Sequence, residues 1–124
     1  MGKSVHDDVL DAAHNKSATC ITITVCSAEP ANYAAISGLV LASGTLVAGV
    51  GNGDYVIANG DVSGRKLTIA QQANLSITAN GDATHIARDD GTTLLRVTTC
   101  ATQTLTSGGT VTISAHDEEI EDPA

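Results

Sequence analysis

The chain has 124 residues, a formal net charge of −8, two Tyr and neither Phe nor Trp. That length fits one domain. Fourteen Asp and Glu against six Lys and Arg argue against nucleic acid, which is held largely by cations on phosphate, and the scarcity of rings removes the stacking platforms of single-strand binders. No stretch is apolar for long enough to span a membrane. Residues 1–16 carry charges where a cleaved signal would be apolar, so synthesis in the cytosol without export is expected. Neither nucleic acid nor membrane is an expected partner. Aliphatic side chains without rings bury little area each, and a small domain gains little from its own core. Association with copies of itself or with a larger body is therefore expected.

Residues 4–15, SVHDDVLDAAHN, predict a short helix that breaks at Asn15. Ser4 is the expected N-cap, and Asp7 and Asp8 sit in the first turn, where the helix dipole favours anions. Val5, Val9, Ala12 and Ala13 follow the i, i+4, i+7, i+8 spacing of one apolar stripe. A helix this short does not persist alone. Val5, Val9, Ala12 and Ala13 are thus the candidate docking face, laid either on the chain's own sheet or on a partner. Residues 19–26, TCITITVC, alternate strictly and predict a half-buried strand with Ile21, Ile23 and Val25 inward and Cys20, Thr22, Thr24 and Cys26 outward. Asn32 to Ser37 predicts a helical turn capped by Gly38. Leu39 to Val50, rich in small residues, carries no clear period.

Strands are predicted at Tyr55 to Ala58, at Arg65 to Ala70 with Leu67 and Ile69 inward, and at Asn74 to Thr78 with Leu75 and Ile77 inward. The stretch from Ala79 to Cys100 reads as a β-hairpin: Thr84 to Arg88 goes out and Leu94 to Thr99 returns. Asn80-Gly81 and Asp90-Gly91 offer the positive backbone angles that tight turns need. Thr110 to Ser114 predicts a further strand, and the acidic run from Asp117 either extends it through Ile120 or is solvated. Short strands punctuated by turns, with no long amphipathic helices between them, predict an all-β fold: an antiparallel β-sandwich or small barrel with a short N-terminal helix. The expected division is a helical arm over 1–16, a β-domain over 17–115 and an acidic segment over 116–124.

Chemistry-bearing residues are sparse. Cys20, Cys26 and Cys100 have no C-x-x-C spacing. Cys20 and Cys26 are six steps apart on one strand, about 20 Å, too far for a disulfide. Cys100 could pair with either of them, or with a cysteine of another chain, so all three are candidates for a disulfide within or between chains. His6 and His14 stand roughly 12 Å apart along the helix, too far to share a metal. His85 falls on a strand and His116 beside solvated acids. The triplet Asn-Gly-Asp occurs at 52–54, 59–61 and 80–82, without the spacing of a calcium loop. No nucleophile elbow or phosphate loop is present. The expectation is a protein that is not an enzyme, with no catalytic residues, cofactor or metal.

SVHDDVLDAA at 4–13, VCSAEP at 25–30, VIANGDVSGRKLTIA at 56–70, GDATHIA at 81–87, LLRVTTC at 94–100 and DEEIEDPA at 117–124 run nearly end to end. In these segments the chain resembles a family of small virion structural proteins of tailed bacteriophages. The resemblance implies a virion component that reaches its place after assembly in the host cytoplasm, with no catalytic residues to carry over. The expected role is an oligomer of identical copies that meets other virion proteins, decorating the capsid or forming part of the neck, collar or a fibre attachment. The alternative is a receptor- or glycan-binding module of a tail or head fibre.

Overall fold

A computed structural model describes residues 5–122. In chain order the elements are α1 (Asp7–Ser17), β1 (Thr22–Cys26), α2 (Tyr33–Ile36), β2 (Val40–Thr45), β3 (Tyr55–Asn59), β4 (Arg65–Ile69), β5 (Gln72–Ser76), β6 (Gly81–Asp89), β7 (Leu94–Leu105), β8 (Thr110–Ile113) and β9 (His116–Ile120). The fold is all-β with antiparallel sheets and a short N-terminal helix, and the sheets are open, as in a sandwich and unlike a closed barrel. The chain divides into two compact units. One, the helix unit, comprises the residues up to 19, 47–71 and those from 114. The other, the hairpin unit, comprises 20–46 and 72–113. The segments expected as arm and acidic tail thus share one unit with the middle of the chain.

In the helix unit, β4 is flanked by β3 and β9. Register pairs Tyr55 with Ile69, Ile57 with Leu67, and Leu67 with Glu118. Alternation then sets Tyr55, Leu67 and Ile69 on the covered face, where all three are fully buried, and leaves Val56, Lys66 and Thr68 on the other. The acidic segment is a paired strand because its carboxylates find partners. Asp117 accepts from the Thr68 hydroxyl at 2.7 Å, and Glu119 accepts from the Asp61 backbone N–H at 2.6 Å.

Helix α1 lies against β4. The expected cap Ser4 lies outside the described residues. His6 occupies the cap position, its Nδ1 accepting from the Asp8 backbone N–H at 3.1 Å. The helix continues through Ser17, past the break expected at Asn15, and closes with the Ala18 N–H donating to the His14 carbonyl. Its buried residues are Leu10 and His14, one turn apart. The stripe expected to dock turns elsewhere: Val9 is 62% exposed, Ala12 and Ala13 are exposed, and Val5 is half-buried. Polar anchoring decides this rotation. Arg65 on β4 donates through Nε and Nη2 to both carboxylate oxygens of Asp11, at 2.8 and 3.3 Å, and His14 Nε2 lies 3.0 Å from the Arg65 carbonyl.

The hairpin unit holds a four-stranded sheet in the order β2-β1-β6-β7 and a two-stranded ribbon of β5 and β8. Strand β1 is central and buried on both faces, which corrects the half-buried strand expected from its alternation. Ile23 and Val25 are buried on one face. Thr24 and Cys26 are buried on the other, where Cys26 packs with Ile36 and Ala87 beneath Leu39, Leu94 and Val97. That cover comes from α2, whose N-cap Asn32 accepts from the Ala35 N–H at 3.0 Å, from the turn after it and from β7. The stretch without a clear period supplies β2, paired with β1 from Thr45 to Val40.

Of the two turns expected to use positive backbone angles, Gly91 adopts one and Gly81 does not. Gly81 already belongs to β6, and Asn80 accepts from the Ser107 N–H at 2.7 Å instead of closing a tight turn. At Gly60 the requirement is space: a Cβ there would overlap the Ser63 carbonyl and the Glu119 carboxylate.

Candidate functional site

Three places collect chemically suggestive groups, and each is built by a different device. The first is a cavity of about 310 Å³ in the hairpin unit, bordered by Thr22, Thr24, Tyr33, Ile36, Ser43 and Asp89. Cross-strand register explains the set. Thr22 stands opposite both Thr45 and Asp89, while Thr24 stands opposite Ser43 and Ala87, so hydroxyls and a carboxyl line up on one face. Helix α2 brings Tyr33 and Ile36 over them. Asp89 is 4% exposed, and its Oδ2 accepts from the Gly91 N–H at 3.0 Å. Burial pushes its carboxyl above the usual range. The Gly91 hydrogen bond opposes that shift and the neighbouring Asp90 charge adds to it. A second cavity, of about 470 Å³, lies against the same α2 residues, Tyr33 and Ala34, and against Thr92, Thr93 and Leu94. Such a combination suits a small ligand rich in hydroxyls: carboxyl and hydroxyls to exchange hydrogen bonds, and a ring and aliphatic groups to pack. Sequence reasoning missed it because β2 comes from the stretch without a clear period, and because Thr22, Ser43 and Asp89 meet only through strand register.

The second place is the pair Cys26 and Cys100. All three cysteines are free thiols, with Cys20 and Cys26 buried and Cys100 half-buried. Burial pushes the Cys26 thiol up to about 11, and the charge of Cys100 adds to the shift. Burial raises the Cys100 thiol as well. The fold therefore brings Cys26 and Cys100 within electrostatic reach without a bond. Thiols raised in this way are poor nucleophiles at neutral pH, because the thiolate is the reactive form. Cys20 is enclosed completely.

The third place is the outer face of α1. Val9, Ala12 and Ala13 remain exposed while Asp11 and His14 hold the opposite side on β4. Both remaining histidines make local contacts. His85 Nδ1 is 2.8 Å from the Thr84 hydroxyl, and His116 Nδ1 is 3.0 Å from the Ser114 carbonyl. Among the described residues no three His, Cys, Asp or Glu side chains gather as a metal ion would require, and no helix is long and apolar enough to cross a membrane. No family model, curated protein or solved structure matches the chain.

Proposed function

We propose that this chain is a structural protein of a tailed-bacteriophage virion, present as a homo-oligomer and attached to the capsid, neck, collar or a fibre. The observation that carries the reading is the outward apolar face of α1. Val9, Ala12 and Ala13 are left in solvent by a helix already fixed to its own sheet through Asp11, His14 and Arg65. Such a helix presents a preformed surface to a larger body, so its backbone need not be ordered on docking. The sequence resemblance from 4–13 through 117–124 supports the same role, and a small aliphatic protein gains stability from neighbours by mass action. We read the role as non-catalytic and independent of cofactor or metal. In support, burial raises the Cys26 and Cys100 thiols and leaves them poor nucleophiles at neutral pH. The virion is its proposed location, after assembly in the host cytoplasm. Labelling the protein on intact particles and imaging the label tests this: signal at a regular position is expected, and particles free of the protein would reject the role.

A second reading, a receptor- or glycan-binding module of a fibre, is favoured by one feature, the hydroxyl-lined cavity beneath Tyr33 and beside Asp89. Binding of the isolated protein to host cells, lost on Tyr33→Ala, is the outcome that would move the assignment there.

A further inference from the structure

We infer that the cavity bordered by Thr22, Thr24, Ser43, Asp89 and Tyr33 binds one ring of a neutral sugar, its hydroxyls on the sheet and its C–H face on α2. The inference rests on the second reading above, deepens it by naming the ligand class, and does not depend on the virion role.

Strand β1 is central, and Ile23 and Val25 are the residues its burial calls for. Thr24 lies between them and is 2% exposed. Valine has the same shape without a polar group, so burial alone does not account for this hydroxyl. Register sets Ser43 opposite Thr24 on one side and Asp89 opposite Thr22 on the other. A threonine and a serine facing each other in this way can share a hydrogen bond. Among the described residues, no group bonds to the hydroxyls of Thr22, Thr24 or Ser43. Asp89 Oδ2 accepts from the Gly91 N–H at 3.0 Å, and Oδ1 has no such donor among the described residues. Three hydroxyls and one carboxylate oxygen thus border the cavity. Their positions are about 7 Å apart along β1 and about 5 Å apart across strands.

The remaining border is mostly apolar: Tyr33, Ala34 and Ile36 from α2, and Val40 from the start of β2. Ser37, also at the border, already donates to the Ala34 carbonyl at 3.2 Å. A polar floor and an apolar wall match the two-sided surface of a sugar ring, with hydroxyls around its rim and C–H groups on its face. Each ring hydroxyl donates and accepts, as do those of Thr22, Thr24 and Ser43, and Asp89 accepts. The volume of about 310 Å³ stands at the small end of ligand sites and suits a single ring. Tyr33 and Ala34 also border the second cavity, of about 470 Å³, together with Asn32, Thr92 and Thr93. A second ring linked to the first therefore has a place beyond Tyr33.

Charge narrows the class further. Asp89 is the one charged residue bordering either cavity, and no Lys, Arg or His borders them. A phosphate or an acidic sugar would meet a carboxyl, on a chain of net charge −8, with no cation to hold it. A cationic ligand would have one carboxylate oxygen to pair with, and burial disfavours the charged form of that carboxyl. An uncharged ring requires neither.

The full chain tests the inference by amide chemical shifts, titrated with methyl glycosides of the neutral hexoses, deoxyhexoses and N-acetylhexosamines. At least one is expected to move the Thr22, Thr24, Ser43 and Gly91 amides, with a Kd on the order of 1 mM. Thr24→Val should weaken that binding about tenfold without lowering Tm, an outcome that a merely structural hydroxyl would not give. Asp89→Asn should weaken it by a similar factor. Ethanolamine and inorganic phosphate should leave the same amides unmoved. A disaccharide of the bound sugar that binds more tightly and also moves Thr92 and Thr93 marks a glycan chain as the source. Equal binding of the two marks the free monosaccharide, and either result supports the site. Unmoved amides across the whole panel, a response to ethanolamine or phosphate instead, or binding indifferent to Thr24→Val would overturn it. Sugar binding by a protein that ignores host cells would reject the receptor role and leave the site standing. Cell binding that no panel sugar inhibits would do the reverse, so the two failures are distinguishable.

Discussion

The two units reach order by different chemistry. The hairpin unit buries both faces of β1 under hydrocarbon, with Ile23, Val25 and Cys26 each at most 3% exposed. The helix unit also has a dry face, but its pieces are registered by ions. Arg65 holds α1 through Asp11 and the β3 end through Asn59, and Lys66 lies 2.8 Å from Asp61 and 3.6 Å from Asp117. Hydrocarbon burial carries no charge for salt to screen, whereas exposed ion pairs are screened once the Debye length falls to about 3 Å at 1 M. One small protein thus offers two responses to the same solvent.

Substitutions that widen or close this contrast are ordered by size. Ile23→Ala removes a fully enclosed side chain from the hairpin unit and should lower unfolding free energy by about 3 kcal/mol in urea titrations, equally at low and high salt. Gly64→Ala strikes the helix unit. The backbone there is at φ +71, and a Cβ would overlap the Ile120 carbonyl. A cost of about 2 kcal/mol is expected, seen as faster hydrogen exchange across β9 with β1 unaffected. Asn32→Ala removes the cap of α2 and should cost about 1 kcal/mol. Asp89→Asn has a smaller effect with a defined sign. The folded carboxyl titrates above its ordinary value of 3.8, so the stability it contributes is complete below that value and is lost as pH rises through the folded pKa. The variant should lose that slope and melt no lower than wild type at neutral pH, compared by Tm at pH 4 and pH 7. Smallest of all, 1 M NaCl should quicken exchange in β9 while the amides of β1 and β6 hold, because β9 is tied to Lys66 through the exposed carboxylate of Asp117.

Much of the fold was legible in local pattern. Leu67 and Ile69 face inward on β4 as alternation predicts, Asn32 starts α2, and the hairpin of β6 and β7 stands where Thr84 to Arg88 and Leu94 to Thr99 predict it. What escaped depended on partners far along the chain. The rotation of α1 follows from Arg65, 54 residues beyond Asp11, and no periodicity count over Val5, Val9, Ala12 and Ala13 contains that information. Strand β1 alternates as a half-buried strand should, yet its second face is covered by α2, which a window of eight residues does not include. Strand β2 reads as neutral because Ala42, Ser43 and Gly44 are small for a reason lying elsewhere. A Cβ on Gly44 would press on Leu75 of β5. The candidate cavity inherits this difficulty, since Thr22, Ser43 and Asp89 meet only through strand register.

The arrangement of β9 has a consequence in time. Strand β4 pairs on one side with β3, which leaves the ribosome before it, and on the other with β9, which is made about 50 residues after it. Helix α1 emerges before β4 and must wait for it before Arg65 can hold it. The whole hairpin unit, from β1 through β8, is synthesised before β9 appears, and it can close while the three-stranded sheet still lacks an edge. Until then Leu67 and Ile69 sit on a two-stranded ribbon, a form seldom stable alone. The helix unit therefore cannot complete its sheet until β9 is made, and a nascent chain stalled near Ser114 would leave the β4 edge unpaired.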